Sequence, residues 1–229
     1  ADADGSLVIR ALLPDAGSVQ VIPREVAQPV PLRRLHPHGL WEGRVSVPAG
    51  TAPASFVYQL RVTDSAGHAV DVEDPYRFPP SLTDLDLHLL GEGTHYRLYD
   101  KLGAHPARVS GVDGYRFAVW APNARRVSVV GDWNSWDGRR HPMRLHPANG
   151  IWELFVPGVG DRVRYKFEIL SASGAPLALK ADPFAFAFEP DTPRTAAVTC
   201  PLDRRAWGDQ AWMAERGRRH ALGEPLSIY

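Results

Sequence analysis

The chain contains one sequence unit twice, and this internal repeat limits the folds open to it more than any other feature does. The stretches PLRRLHPHGLWEGRVSVP and HPMRLHPANGIWELFVP share Arg-Leu-His-Pro, then a glycine, an aliphatic residue, a tryptophan and a glutamate. The correspondence continues downstream, where Tyr58 aligns with Tyr165 and Asp74 aligns with Asp182. Two copies of one unit predict two domains that share a fold.

Each copy alternates apolar and polar residues in short runs, such as LVIRALL and VYQLRV in the first and YRFAVW and RYKFEIL in the second. Breaks rich in glycine, proline and asparagine separate these runs, as expected for antiparallel strands. No strand pattern alternates with a helix pattern, which a parallel sheet would require. The sequence therefore predicts a mainly β protein with two immunoglobulin-like β-sandwich domains in series.

The segments between and after the two copies have a different pattern. Leucines recur in SLTDLDLHLLGEG, which predicts a short helix with Ser81 as its N-cap and Gly91 at its end. A second short helix is expected near the C-terminus, around Trp207 and Met213, and the last residues, PLSIY, are typical of a strand. We expect a first sandwich over residues 1–80, a partly helical connector over 81–107, a second sandwich over 108–201, and a linker that leads into a further domain over 202–229.

Composition excludes several classes of function. Lysine plus arginine number 26, as do aspartate plus glutamate, so no broad positive field favours nucleic acid or an anionic membrane. No apolar run is long enough to span a bilayer. The single cysteine, Cys200, and an N-terminal stretch without the pattern of a secretion signal predict a cytoplasmic protein.

No motif in the chain supplies catalytic chemistry. The His36-Pro37-His38 pair lacks a third ligand at metal spacing, and no nucleophile-base motif or phosphate-binding loop is present. We therefore expect no metal, no cofactor and no catalytic residue.

The tryptophans divide into two groups because the repeat provides an internal comparison. Trp41 and Trp152 occupy equivalent positions, which predicts that both belong to the sandwich cores, whereas Trp133 and Trp136 lie in the turn DWNSWDGRR that the first copy lacks. An exposed indole can stack on the apolar face of a sugar ring while polar neighbours bond its hydroxyls. Either ring can instead pack inward as a corner plug, an alternative that weighs more for Trp133 than for Trp136. Three further tryptophans are expected at domain contacts: Trp120, Trp207 and Trp212.

The strings LLGEGTHYRLYDKLGAHP, FAVWAPNARRVSVVGDWNSWDGRRHPMRL, KADPFAF and PLSIY resemble the N-terminal part of a bacterial 1,4-α-glucan (glycogen) branching enzyme of the α-amylase superfamily. The second sandwich resembles a glycogen-binding-type carbohydrate-binding module. The resemblance implies a parent enzyme that cleaves α-1,4 glucan chains and transfers them to form α-1,6 branches. It also implies that the catalytic carboxylates lie in a (β/α)₈ barrel starting near residue 227, so that the partners of this chain are that barrel and α-glucan, namely glycogen and malto-oligosaccharides.

Carried over by motif, the stacking tryptophan of such modules falls on Trp136 and the sugar-contacting lysine falls on Lys166. Trp133, the third candidate contact, stands where the family more often has phenylalanine. The hairpin SGAPLALKADP has aliphatic residues where a second stacking tryptophan is usual, and no late asparagine is evident in PDTPRTAAVTC. The resemblance therefore implies weak glucan binding.

Two alternatives remain open on the sequence. One is a structural or regulatory sandwich whose aromatic patches serve protein contacts. The other is the front part of a debranching or trehalose-forming enzyme of the same superfamily.

Overall fold

The computed structural model describes residues 6–24, 28–47, 56–190, 195–201, 206–219 and 223. The first half of this part contains β1 (Ser6–Leu12), β2 (Ser18–Pro23), β3 (Val30–Pro31), β4 (Arg33–His36), β5 (Leu40–Ser46), β6 (Tyr58–Thr63) and β7 (Ala69–Glu73). Helix α1 (Asp84–Glu92) follows. The second half contains β8 (Gly103–Val109), β9 (Val112–Trp120), β10 (Ala124–Gly131), β11 (Arg144–His146), β12 (Ile151–Pro157), β13 (Arg164–Ser171), β14 (Ala197–Val198) and helix α2 (Gln210–Arg219). Short 3₁₀ turns occur at Pro75–Arg77, Leu98–Asp100 and Asp132–Asn134.

The first set of strands forms two antiparallel sheets, with strand orders β1-β5-β4 and β3-β2-β6-β7. Their alternating apolar residues face each other and build one core, in which Val19, Val21 and Val45 are almost fully buried. The second set repeats this arrangement with sheets β11-β12-β9-β8 and β10-β13-β14. The prediction of a mainly β protein with two sandwiches is confirmed.

The repeat is visible in the strand pairing. In the first sandwich β5 lies between β1 and β4, and in the second β12 lies between β9 and β11 in the same way. Likewise, β2 pairs with β6 in the first sandwich and β10 with β13 in the second. The second sandwich adds β8 at the outer edge of β9.

The repeat extends to individual buried hydrogen bonds. The Tyr58 hydroxyl donates to Asp74 Oδ2 over 2.6 Å, and the Tyr165 hydroxyl donates to Asp182 Oδ2 over the same distance. Each aspartate also accepts a bond from the backbone N–H two residues later. Burial raises the pKa of both carboxyl groups, while the tyrosine hydrogen bonds act in the opposite direction.

The equivalent tryptophans are core residues in both copies, as predicted. Trp41 and Trp152 are each 5% exposed. The Trp41 Nε1–H donates to the Leu13 carbonyl over 3.3 Å, and the Trp152 Nε1–H donates to the Ala121 carbonyl over 3.1 Å. Each indole therefore has its one polar group satisfied while the ring fills the space between the sheets.

The connector helix α1 begins and ends two residues later than the sequence predicted. Thr83 is the N-cap, and its side chain forms a capping box with Asp86. Gly93 ends the helix at φ +73°, while Gly91 lies inside it. Ser81 is not free to cap the helix, because its N–H and hydroxyl both donate to the buried Glu153 carboxylate, at 2.9 and 2.6 Å.

The segment after β7 ties the two sandwiches together. The Arg144 guanidinium donates to the carbonyls of Tyr76 and Phe78, and the Tyr76 hydroxyl donates to the Pro142 carbonyl over 2.7 Å. Phe78 is buried and meets Phe155 edge to face, with ring centroids 4.8 Å apart. These contacts hold the segment after β7 against the second sandwich.

The C-terminal helix α2 is present near the predicted position, with Trp207 just before it. Trp207, Trp212 and Met213 are all exposed. The PLSIY prediction concerns residues 225–229, which lie outside the described residues. No helix in the described part of the chain is long and apolar enough to cross a membrane.

Candidate carbohydrate-binding surface

The turn between β10 and β11, residues 132–142, covers the outer face of the sheet that β10 and β13 form. Val129 and Phe167 point into the core, so their strand neighbours Val130 and Lys166, which pair across the two strands, point outward. The end of the turn bridges back to Ser128 through Pro142. Gly138 lies so close to Glu168 that a Cβ there would meet its carboxylate at 2.1 Å. The turn is therefore packed on the sheet.

Asn134 holds this turn from within. Its Oδ1 accepts from the Gly131 N–H over 2.9 Å, and its Nδ2 donates to the Val129 carbonyl over 3.0 Å. The same Nδ2 lies 2.8 Å from Nδ1 of His141. Burial, with a smaller contribution from Arg140, lowers the pKa of His141 to about 4. The imidazole is thus neutral at physiological pH and accepts the amide hydrogen bond.

Trp136 has a backbone conformation that residues other than glycine rarely adopt. Its φ is +59°, next to a φ of +57° at Ser135, and its N–H donates to the Gly131 carbonyl over 3.1 Å. The ring is half-buried, and among the described residues it is not part of the hydrophobic core cluster. Its Nε1–H donates to Asp132 Oδ1 over 3.2 Å.

Asp132 is in turn held by Arg164, the first residue of β13. Arg164 Nε lies 3.0 Å from Oδ2 and Nη2 lies 2.9 Å from Oδ1, which is a two-point pairing of guanidinium and carboxylate. The hydrogen bonds from Arg164 lower the pKa of Asp132. The far side of the guanidinium reaches Glu189 Oε1 over 3.3 Å.

Lys166 lies two residues after Arg164, so both side chains project from the same face of β13. Its Nζ donates to Thr195 Oγ1 over 2.9 Å. The structure therefore places Trp136, Asp132, Arg164 and Lys166 at one end of the outer face. Sequence reasoning singled out Trp136 and Lys166 but missed Asp132, Arg164 and Glu189, because no motif marks charged residues that pair across 25 or more positions.

Trp133, in contrast, turns inward. Its ring stacks on the fully buried Phe117 with centroids 5.4 Å apart and packs against the core cluster. Its Nε1 is buried and has no hydrogen-bond partner among the described residues. This packing favours the inward-packing alternative, and a phenylalanine would fill the same place. The role of Trp133 as a sugar contact stays a prediction.

The hairpin after β13 presents aliphatic side chains where a second aromatic platform would lie. Leu177 and Leu179 are exposed, and an open groove of about 340 Å³ runs between Leu177, Ile169 and Pro122. This surface can bury apolar groups, but it has no ring to stack on a sugar.

A second apolar surface lies beside α1. A cavity of about 180 Å³ is lined by Leu90, Leu98, Phe184 and Trp120, among others. Trp120 is 63% exposed, and its Nε1–H donates to the Asn149 carbonyl over 2.9 Å, which fixes the ring. Trp207 and Trp212 are exposed as well. The expectation that all three tryptophans lie at domain contacts stays a prediction.

Comparison with known proteins identifies the two sandwiches. Residues 2–76 match the family model of the alpha-1,4-glucan branching enzyme GlgB, N-terminal domain, and residues 101–185 match that of carbohydrate-binding module 48 (isoamylase N-terminal domain). Over 98% of its length the chain is 50% identical to the 1,4-alpha-glucan branching enzyme GlgB of Rubrobacter xylanophilus. The chain belongs to the GlgB family, as its N-terminal region. GlgB of a Bradyrhizobium strain is 53% identical over 100% of the chain.

The chain spans 30% of the length of each of these two GlgB relatives. Among solved structures, pullulanase type I of Bacillus subtilis, complexed with maltose, is similar over 90% of this chain and 27% of that one, with 19% identity and a TM-score of 0.39. That likeness is too low to argue from. The matches to GlgB establish the family. The family-model match over residues 101–185 identifies a carbohydrate-binding module.

Proposed function

We propose that this chain is the non-catalytic N-terminal part of a cytoplasmic 1,4-alpha-glucan branching enzyme, and that its second sandwich binds α-glucan weakly. The whole enzyme would cleave α-1,4 glucan chains and transfer them to form α-1,6 branches in glycogen. We assign that chemistry to a C-terminal (β/α)₈ barrel and no catalytic role to any residue of this chain. The similarity to GlgB branching enzymes over nearly the entire chain supports this assignment.

The observation that carries the binding role is the position of Trp136 beside a row of polar side chains on β13. An indole can cover the C–H face of a glucose unit, while a neighbouring ammonium such as Lys166 donates to ring-edge hydroxyls. Lys166 already donates to the Thr195 hydroxyl, a bond that a sugar hydroxyl can replace. The first sandwich has no aromatic residue in the corresponding turn sequence.

The same geometry limits the affinity. One stacked ring contributes on the order of 1 kcal/mol beyond burial, and ordering a flexible oligosaccharide opposes binding. The exposed leucines of the following hairpin add no second stack. We therefore expect a dissociation constant of roughly millimolar order for a short malto-oligosaccharide, and stronger retention on glycogen, where many sites allow rebinding.

The exposed apolar surface beside α1 supports the second part of the role, which is contact with the enzyme's own catalytic domain. There Trp120, which is exposed, lines a cavity together with Leu90, Leu98 and Phe184, and aromatic residues are enriched at protein interfaces. Trp120 ends β9 in one sheet of the sandwich, whereas the turn that carries Trp136 packs on the other sheet. One end of the module would thus bind glucan while other surfaces bind protein.

Affinity electrophoresis in native gels that contain glycogen tests the binding site. We expect the chain to be retarded and Trp136→Ala to remove most of the retardation. Trp120→Ala is the matched control, because it removes an exposed indole from the same sandwich at another surface, and it should migrate like the unmodified chain. Retardation that survives Trp136→Ala would refute this site.

A further inference from the structure

Trp136 is the last residue in a series of polar contacts that runs through Asp132 and Arg164, the first residue of β13. Its Nε1–H donates to Asp132, which pairs with Arg164 at two points, and Arg164 also reaches Glu189. Glu189 is anchored by the Ala196 N–H, which donates to its Oε2 over 3.2 Å. The orientation of the half-buried ring is thus linked to the charged side chains of Asp132, Arg164 and Glu189.

We propose that Arg164, acting through Asp132, fixes the indole of Trp136 in the orientation that stacks on glucan. This proposal rests on the function proposed above. Arg164 is a positioning residue in this proposal. Its guanidinium is paired with the carboxylates of Asp132 and Glu189, and it influences the orientation of the ring by holding Asp132 in place.

The physical reason is that the half-buried Trp136 lies outside the core cluster, so the interlocked side chains of that cluster do not fix its ring. Its Nε1–H bond to Asp132 is a polar restraint on the ring. If the Asp132 carboxylate had no partner other than the Trp136 N–H, it could itself rotate and would not fix the ring. The two bonds from Arg164, together with one from the Arg164 backbone N–H to Asp132 Oδ2 at 3.2 Å, hold the carboxylate in place. A ring that is already oriented loses less entropy when the sugar binds.

The test compares glycogen-gel retardation of Arg164→Ala, Asp132→Ala and a control, Arg139→Ala. Arg139 is an exposed arginine of the same turn, and its guanidinium pairs with Asp137 rather than with Asp132. We expect Arg164→Ala and Asp132→Ala to weaken retention roughly two- to ten-fold, the range associated with ordering one side chain, and Arg139→Ala to leave it unchanged. Urea midpoints of all three should match the unmodified chain.

The double variant Arg164→Ala/Trp136→Ala separates positioning from a direct contact. If Arg164 acts through the ring, its removal has no further effect once Trp136 is absent. An equal loss with and without Trp136, or normal binding by Arg164→Ala, would overturn the proposal while leaving the proposed binding site intact. Normal binding by Trp136→Ala would instead remove the site and this proposal together.

A readout without glucan completes the test. In chain labelled with 5-fluorotryptophan, the ¹⁹F resonance of Trp136 is identified by its loss in Trp136→Phe. We expect Arg164→Ala to shift this resonance towards that of a freely rotating indole, while the resonances of the buried Trp41 and Trp152 stay in place. A Trp136 resonance that Arg164→Ala leaves unchanged would overturn the positioning role.

Discussion

Replacing Trp152 and Trp136 by alanine should separate a core ring from a surface ring within one sandwich. Trp152 is 5% exposed, and truncation of a buried aromatic of this size costs about 3–5 kcal/mol. The loss of its hydrogen bond to the Ala121 carbonyl contributes about 1 kcal/mol of this. We therefore expect Trp152→Ala to lower the free energy of unfolding by an amount in the upper part of that range.

Trp136→Ala should cost clearly less, about 1–2 kcal/mol. The ring is half-buried and outside the core cluster, and its hydrogen bond is to an exposed carboxylate, so less packing than at Trp152 and no buried polar partner are lost. The internal repeat provides a further comparison: Trp41→Ala should destabilise the first sandwich about as much as Trp152→Ala destabilises the second.

Urea unfolding followed by far-UV circular dichroism measures these losses without relying on tryptophan fluorescence. Hydrogen exchange of β12 and β5 then reports separately on the second and first sandwich, since two domains can unfold independently. A cost for Trp136→Ala equal to that for Trp152→Ala would show that Trp136 is a core residue. That result would remove the physical basis for a stacking platform.

Two further changes test the turn that carries the site. The unfolded chain protonates His141 near pH 6.5 and the folded chain only near pH 4, so acidification across this interval should lower the free energy of unfolding by up to about 3 kcal/mol. His141→Gln should remove that part of the pH dependence in urea titrations at several pH values; an unchanged slope would contradict it. Trp133→Phe should change the free energy of unfolding by about 1 kcal/mol or less, because it deletes a buried N–H without a partner, and should leave retention on glycogen unchanged. A clear loss of retention would show that Trp133 contacts glucan.

The sequence predicted those parts of the fold that the repeat makes comparable. Tyr58 and Tyr165 aligned in the sequence and make the same buried bond to Asp74 and Asp182 in the structure. A residue pair that occurs at equivalent positions in both copies can be recognised from the sequence alone, because each copy serves as a comparison for the other. The same comparison indicated that Trp41 and Trp152 are core residues.

The features that the sequence did not predict depend on contacts between distant segments. Ser81 has the chemistry of an N-cap, yet Glu153, 72 positions away, takes both of its donors, and the helix begins after Thr83 instead. Similarly, Asp132 and Arg164 are ordinary charged residues until β10 and β13 pair and bring them together. Local sequence patterns cannot show which polar side chain will form a hydrogen bond with a residue on a distant strand.

The backbone at Trp136 gives an independent reason to regard the ring as functional. A non-glycine residue at a left-handed φ costs of order 1–3 kcal/mol, and strain of this kind persists where the surroundings hold it in place. Here Asn134 supplies that hold from inside the turn. Glycine at position 136 would adopt the same backbone without strain, and the first copy connects β2 to β4 with no aromatic residue in its turn sequence. The first sandwich therefore folds without a ring at the equivalent place, and what the strained position achieves in the second is an indole held beside Asp132.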